Sequence, residues 1–231
     1  MENNTSLVTL VNQDIVDFLN SINNNSNKRI LFESEQELQL ELVIYLRSTN
    51  HYDLVKIEQQ LYCSMLSNYV WKKPKDTTIR IDIVVKKGDE YLPIELKFKT
   101  KEIKRNSDIF GIIKEDFPVV HTQSATNYGK YDFWKDVRRL ELLKENFSSI
   151  RNGIALFITN DFSYVNDNNC NAEYFNFNMI EGKHSTKKHW LSENISNFKQ
   201  YPNFDLSNEY DIHWNDVDID NESFKYCIVT I

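Results

Sequence analysis

Residues 77–101, TTIRIDIVVKKGDEYLPIELKFKTK, leave this chain little conformational freedom. Two alternating apolar and polar runs flank Gly88-Asp89, the sequence signal of an antiparallel hairpin closed by a two-residue turn. If Lys87 faces Glu90 across that turn, counting outward sets Asp82 directly opposite Glu95. The side-chain period of two then puts Lys97 on the face of Glu95 and sends Ile94, Leu96 and Phe98 to the other. Adjacent carboxylates repel unless a cation joins them, and oxygen donors on a rigid sheet suit a hard divalent ion such as Mg²⁺. A half-buried strand pair with a wet polar face is the plain alternative for the same residues.

With 231 residues, 41% of them hydrophobic and 13% aromatic, the chain can build one large domain around a sizeable core. Five Gly and four Pro leave little room for linkers. Cys63, Cys170 and Cys227 are odd in number and lack CxxC spacing, which indicates neither a disulfide framework nor a zinc site and fits a reducing cytoplasm. MENNTSLVTLVNQDIVDFLN has no basic leader and no apolar run approaches membrane-spanning length, so a soluble cytoplasmic protein without a membrane partner is expected. The net charge of −7 works against nucleic-acid binding, yet the charge is segregated. Residues 72–105 hold eleven Lys or Arg against six Asp or Glu, whereas 161–222 hold four against twelve. A basic region followed by an acidic C-terminal third is compatible with a phosphate-binding face, although solvated surface charge is the commoner cause of such runs.

In chain order, Val8, Val11, Ile15, Phe18, Leu19 and Ile22 recur at helical spacing, and the Asn/Ser cluster at 23–27 reads as a loop. That first helix is a candidate for loose packing or for association, so a homodimer stays open. Ser34 and Glu37 form a capping box ahead of Leu38, Leu42, Tyr45 and Leu46. At about 100° per residue, Glu35 falls within the apolar face of this second helix. It is met there either by first-turn backbone amides or by a metal or phosphate site. Residues 54–62 read as a strand, 63–76 as an irregular connection and 100–120 as a long loop. Tyr131, Trp134, Val137, Leu140, Leu143 and Phe147 mark a long helix from about residue 124, in which Asp136 and Arg139 can pair. IALFIT after Gly153 reads as a buried central strand, followed by a strand at 173–180, a short helix near 190–198 and a terminal strand at 224–231.

A helix with an inward Glu, a strand, a hairpin carrying Asp82, Glu95 and Lys97, a helix and a buried strand follow one another. That order resembles the core of the PD-(D/E)XK nuclease superfamily, the restriction-endonuclease-like fold. The resemblance rests on Glu35 in SEQELQLEL, Asp82 in RIDIVV and Glu95-Leu96-Lys97 in PIELKFKT, and YDFWKDVRRLELL and GIALFITND are also similar to stretches of uncharacterised bacterial members. Ile81 stands where the Pro that names the motif would be, and Gln123 to Tyr128 is one residue too long for a QxxxY continuation.

What the resemblance implies is an α/β fold class, an α+β mixed sheet with an αβββαβ core, an extra N-terminal helix and C-terminal additions. Residues 1–29 would be an N-terminal helix and linker, 30–165 the nuclease-like core, and 166–231 an extension packed on that core. The implied activity is metal-dependent hydrolysis of nucleic acid, foremost as a DNA endonuclease. Asp82, Glu95, the Leu96 carbonyl and Glu35 would hold Mg²⁺, with Mn²⁺ able to substitute, and Lys97 would orient the attacking water. Lys99, Lys101, Lys104, Arg105, Arg138 and Arg139 are candidates to grip phosphates, and Tyr131 and Trp134 to stack on bases, although aromatic residues at helical spacing are more often core. A catalytically silent module of the same fold, binding nucleic acid or a protein partner, is the alternative. Asp216, Asp218 and Asp220 imitate the opening of a calcium loop, but Asn221 and Cys227 occupy the positions that need Gly and Glu.

Overall fold

The computed structural model describes residues 5–24, 31–71, 78–123, 125–166, 169–192 and 200–231. The first apolar stripe forms helix α1, Leu7–Asn24, and it turns Val11, Ile15, Phe18 and Leu19 into the protein core. The helix is therefore an integral part of that core, not loosely packed. Its buried Asp14 is satisfied by the Tyr52 hydroxyl at 2.5 Å and by His51 Nδ1 at 2.9 Å. Helix α2, Glu35–Ser48, starts at the expected cap: Ser34 Oγ accepts the Glu37 N–H at 3.2 Å, and the Glu37 carboxylate reaches back to the Glu33 N–H at 2.7 Å.

Strands β1 (Leu54–Tyr62), β2 (Thr78–Lys87) and β3 (Glu90–Lys99) follow, the last two closed by the Gly88-Asp89 turn with Lys87 opposite Glu90. Next come β4 (Ile103–Ile109), β5 (Ile112–Val120), helix α3 (Thr126–Asn146) and β6 (Ile154–Thr159). The C-terminal part contributes α4 (Ser163–Asn166), β7 (Gly182–His184), β8 (Lys187–Lys188), β9 (Phe204–Asp205), β10 (Tyr210–Ile212), β11 (Asn215–Ile219) and β12 (Glu222–Thr230).

Six strands make the main sheet in the order β1-β2-β3-β6-β12-β11, parallel only between β3 and β6. The protein is thus mixed α+β with a mostly antiparallel sheet. Alternation along the central strands sorts two cores. Ile94, Leu96, Phe98, Leu156 and Ile158 face α1 and α2, while Ala155 and Phe157 face α3. Every residue of β6 is buried, because it has a strand on each side and helices over each face.

Three expectations fail or move. Residues 100–120 are not a loop: β4 and β5 pair as a separate hairpin, turned by Phe110 (φ 53°) and Gly111 (φ 86°). Its strands pair with each other and not with the main sheet, and only Ile103 and Val120 at their base reach the core, so no buried stripe marks them. The strand expected at 173–180 is a 3₁₀ turn at Phe175–Phe177, where the Asn178 side chain donates to the Phe175 carbonyl at 2.6 Å and competes with ladder pairing. The helix expected near 190–198 lies largely outside the described residues, and 190–192 are not helical. The C-terminal part is also more than a cover. β11 and β12 complete the main sheet, and Glu141 of α3 accepts N–H bonds from Ser207 and Asn208 and the hydroxyl of Tyr210. Among the described residues, no helix is long and apolar enough to cross a membrane.

Candidate functional site

The predicted register holds as far as Ile83 opposite Ile94, and there the β2–β3 ladder ends. One residue further on, the Asp82 carboxylate fills the gap and accepts the Leu96 N–H at 2.7 Å. The next inward N–H of β3, at Phe98, is taken at 2.8 Å by the carboxylate of Glu35 from α2. Two side chains thus replace the missing strand as hydrogen-bond partners of β3. The opening is shored up by Gln39, one turn after Glu35 and buried, which donates to the Asp82 carbonyl at 2.6 Å. Opposite, β1 kinks at Glu58, whose φ of 53° is rare for a residue with a Cβ.

Glu95 and Lys97 point to the other face, toward α3. Glu95 is 1% exposed and faces the Arg139 guanidinium at 3.1 Å, and the Lys97 ammonium sits 2.7 Å from Asp136. Arg139 also pairs with Asp136 at 2.9 Å and donates to the Arg80 carbonyl, while Lys97 Nζ donates to the Leu96 carbonyl at 3.2 Å. The structure therefore gathers Asp82, Glu95, Leu96 and Lys97 and sets Glu35 at the sheet edge beside them. Sequence reasoning missed Gln39 and the position of Asp136. Asp136 lies on the buried stripe Phe133, Val137 and Leu140, so the logic applied to Glu35 would have found it.

Burial dominates the electrostatics. It raises the carboxyl of Asp82 above the ordinary range, aided by Asp136 and Glu35 and opposed by Lys97. It raises Glu95 further, with Asp136 and Asp82 adding repulsion that Arg139 and Lys97 do not cancel. Burial also works against the charge of Lys97, but Asp136, Glu35, Asp82 and Glu95 outweigh it and keep the ammonium protonated. For Asp136 burial is overcome by Lys97 and Arg139, which hold its carboxyl low. Lys97 is consequently a fixed positive charge and not a base at neutral pH.

The candidate phosphate grips are engaged within the protein. Arg138 bonds to Glu141, Glu145 and Ser207, and Arg105 pairs with Asp220 and Glu222. Lys101 pairs with Asp161 at 3.2 Å and Lys104 with Glu102 at 3.5 Å, while Lys99 donates to the Gln123 side chain at 3.1 Å. Arg138 and Arg139 have structural roles, and Lys101 and Lys104 keep much of their side chains in solvent. Tyr131 and Trp134 are 0% exposed, so both belong to the core and offer no stacking surface. Trp134 donates to the Phe177 carbonyl, and the Tyr131 hydroxyl to that of Pro202.

If all were ionised, Glu35, Asp82, Glu95 and Asp136 would carry four negative charges against the two positive ones of Lys97 and Arg139. The remainder equals the charge of one divalent cation. Among the described residues, both oxygens of Glu95 are buried without a hydrogen-bond partner, which leaves their lone pairs open to an oxygen-coordinated cation. Among the described residues, no three His, Cys, Asp or Glu side chains are grouped closely enough to hold a metal as they stand. No family model, no curated protein and no solved structure matches this chain.

Proposed function

We propose that the chain is a metal-dependent nuclease of restriction-endonuclease-like architecture, hydrolysing phosphodiester bonds of nucleic acid, foremost DNA, at the opening between β2 and β3. One observation carries this reading. The ladder ends where the sequence puts two carboxylates side by side, and the Asp82 carboxylate enters the gap beside Glu95 and Lys97. The order α2-β1-β2-β3-α3-β6, with the β4–β5 hairpin inserted, supports the same architecture. Asp82 and Glu95, with the Leu96 carbonyl and with Glu35 nearby, would hold Mg²⁺ or Mn²⁺. The ion, when bound, supplies charge neutralisation at the phosphate and a bound water of lowered pKa. Lys97, fixed by Asp136 and held protonated, donates a hydrogen bond to the attacking water or to a phosphate oxygen and takes no proton. The near-complete burial of Glu95 and Asp136 keeps bulk water out and strengthens each of these interactions.

Purified protein is incubated with plasmid, linear and single-stranded DNA and with RNA in Mg²⁺ or Mn²⁺, beside Glu95→Ala and Lys97→Ala. Cleavage by the wild type that drops at least a hundredfold in both variants is expected; cleavage that persists in both overturns the site. The self-pairing of Glu95 with Arg139 and of Lys97 with Asp136 favours a second reading, a nuclease-like module that binds without cutting. Nucleic acid or a protein partner bound without turnover, with no Mn²⁺ uptake by calorimetry, selects that module instead.

A further inference from the structure

Arg139 occupies an unusual position for a basic side chain on a helix: it is 12% exposed and sits between Glu95 and Asp136. Its hold on Glu95 is made by proximity. The two groups are 3.1 Å apart, yet among the described residues neither Glu95 oxygen has a hydrogen-bond partner and the Arg139 Nε is buried without one. A forked guanidinium that fitted its carboxylate would satisfy both oxygens at once. Its bond to Asp136, by contrast, is a proper hydrogen bond of 2.9 Å, and a second anchors it to the Arg80 carbonyl. The guanidinium is thus firmly tethered on one side and poorly mated on the other.

We propose that Arg139 is a built-in counter-cation of Glu95, and that a divalent ion enters the site by exchanging with it while Asp136 keeps the arginine tethered. This rests on the metal-site reading above. Exchange follows from charge: a dication and a guanidinium cannot both lie against one buried carboxylate without strong repulsion. The metal-free protein is closed by its own side chain, and Arg139 is a positioning residue that sets how tightly the ion is held.

Two measurements test this on the full chain. In the first, Mn²⁺ is titrated calorimetrically into the wild type, Arg139→Gln, Arg139→Lys and Glu95→Gln, each checked for folding by circular dichroism. Loss of the competing cation should tighten binding by roughly tenfold or more in Arg139→Gln, less in Arg139→Lys, and Glu95→Gln should abolish it. Binding to Arg139→Gln no tighter than to the wild type overturns the exchange and leaves the metal site standing. No Mn²⁺ binding to either overturns both. The second uses the wild type alone, so it holds if the variants do not fold. The nitrogen-15 signal of the Arg139 side chain is followed as Mg²⁺ is added, and it should shift and begin to exchange its proton with water. A signal unchanged while the ion binds overturns the exchange, and an ion that does not bind overturns the site as well.

Discussion

A carboxylate withdrawn from water has to find a cation or take up a proton, and Glu95, 1% exposed and poorly mated to Arg139, is drawn toward the second course. Its raised value has a definite sign for stability. The contribution is fully present below the ordinary glutamate value of 4.5 and is lost as the pH rises through the raised value. Glu95→Gln, which fixes the neutral shape, should therefore match the wild type in acid and melt roughly 2–4 °C higher at alkaline pH, while losing all cleavage. Asp136 has the opposite sign. Its lowered carboxyl stabilises the fold above the ordinary aspartate value of 3.8, and that contribution is lost as the pH falls through the lowered one. Asp136→Asn should cost about 3–5 kcal/mol at neutral pH, because it strands the buried charges of Lys97 and Arg139. Thermal melts from acid to alkaline pH check both. At this scale the period of two was readable, and it puts Glu95 and Lys97 on the face of β3 that meets α3, although the ladder stops at Ile83 and Ile94 before Asp82 and Glu95 can pair. The pairing of Arg139 with Asp136 was legible from their spacing, but its burial against Glu95 was not, because that depends on how α3 is rotated over the sheet.

Among the elements, α3 carries the fullest imprint in the sequence: its stripe Tyr131, Trp134, Val137, Leu140 and Leu143 is buried as spaced. Within it stands Gly129, a residue that weakens helices, and its reason is a close approach. A Cβ placed there would lie 2.1 Å from the Tyr164 hydroxyl and 3.0 Å from the ring carbon that bears it. Helix propensity alone would make Gly129→Ala stabilising by about 1 kcal/mol. The contact reverses the sign, and a loss of about 1–3 kcal/mol is expected. Most of that loss should return in Gly129→Ala with Tyr164→Phe, which removes the clashing oxygen; a denaturant titration of the two variants decides it. The β4–β5 hairpin shows the opposite limit. Its turn is Phe110-Gly111 in place of an Asn-Gly or Asp-Gly pair, and Phe110, Ile112 and Ile113 project into solvent. No alternation betrayed it, since only Ile103 and Val120 at its base reach the core.

Over the whole molecule, the segments divided in the sequence as helix, core and extension share one sheet and its two cores. The buried strand at 154–159 was legible from its composition, but the partner that covers its far side was not, because a ladder with β12 links residues some seventy positions apart. Truncation after residue 165 would turn β6, buried along its whole length, into a bare apolar edge. The shortened chain should be recovered aggregated or unfolded, and a soluble monomer with cooperative melting would show the C-terminal part to be dispensable. Helix α1 also meets β11 and β12. The Asn12 side chain donates to the Thr230 hydroxyl at 3.1 Å, and Val217 and Ile219 of β11 share the core of α1. Helix α1 precedes β11 and β12 in the chain, so its apolar face is fully covered only once those strands have been made. A nascent chain that still lacks β11 and β12 is expected to leave Val11, Ile15 and Phe18 incompletely covered and open to chaperones.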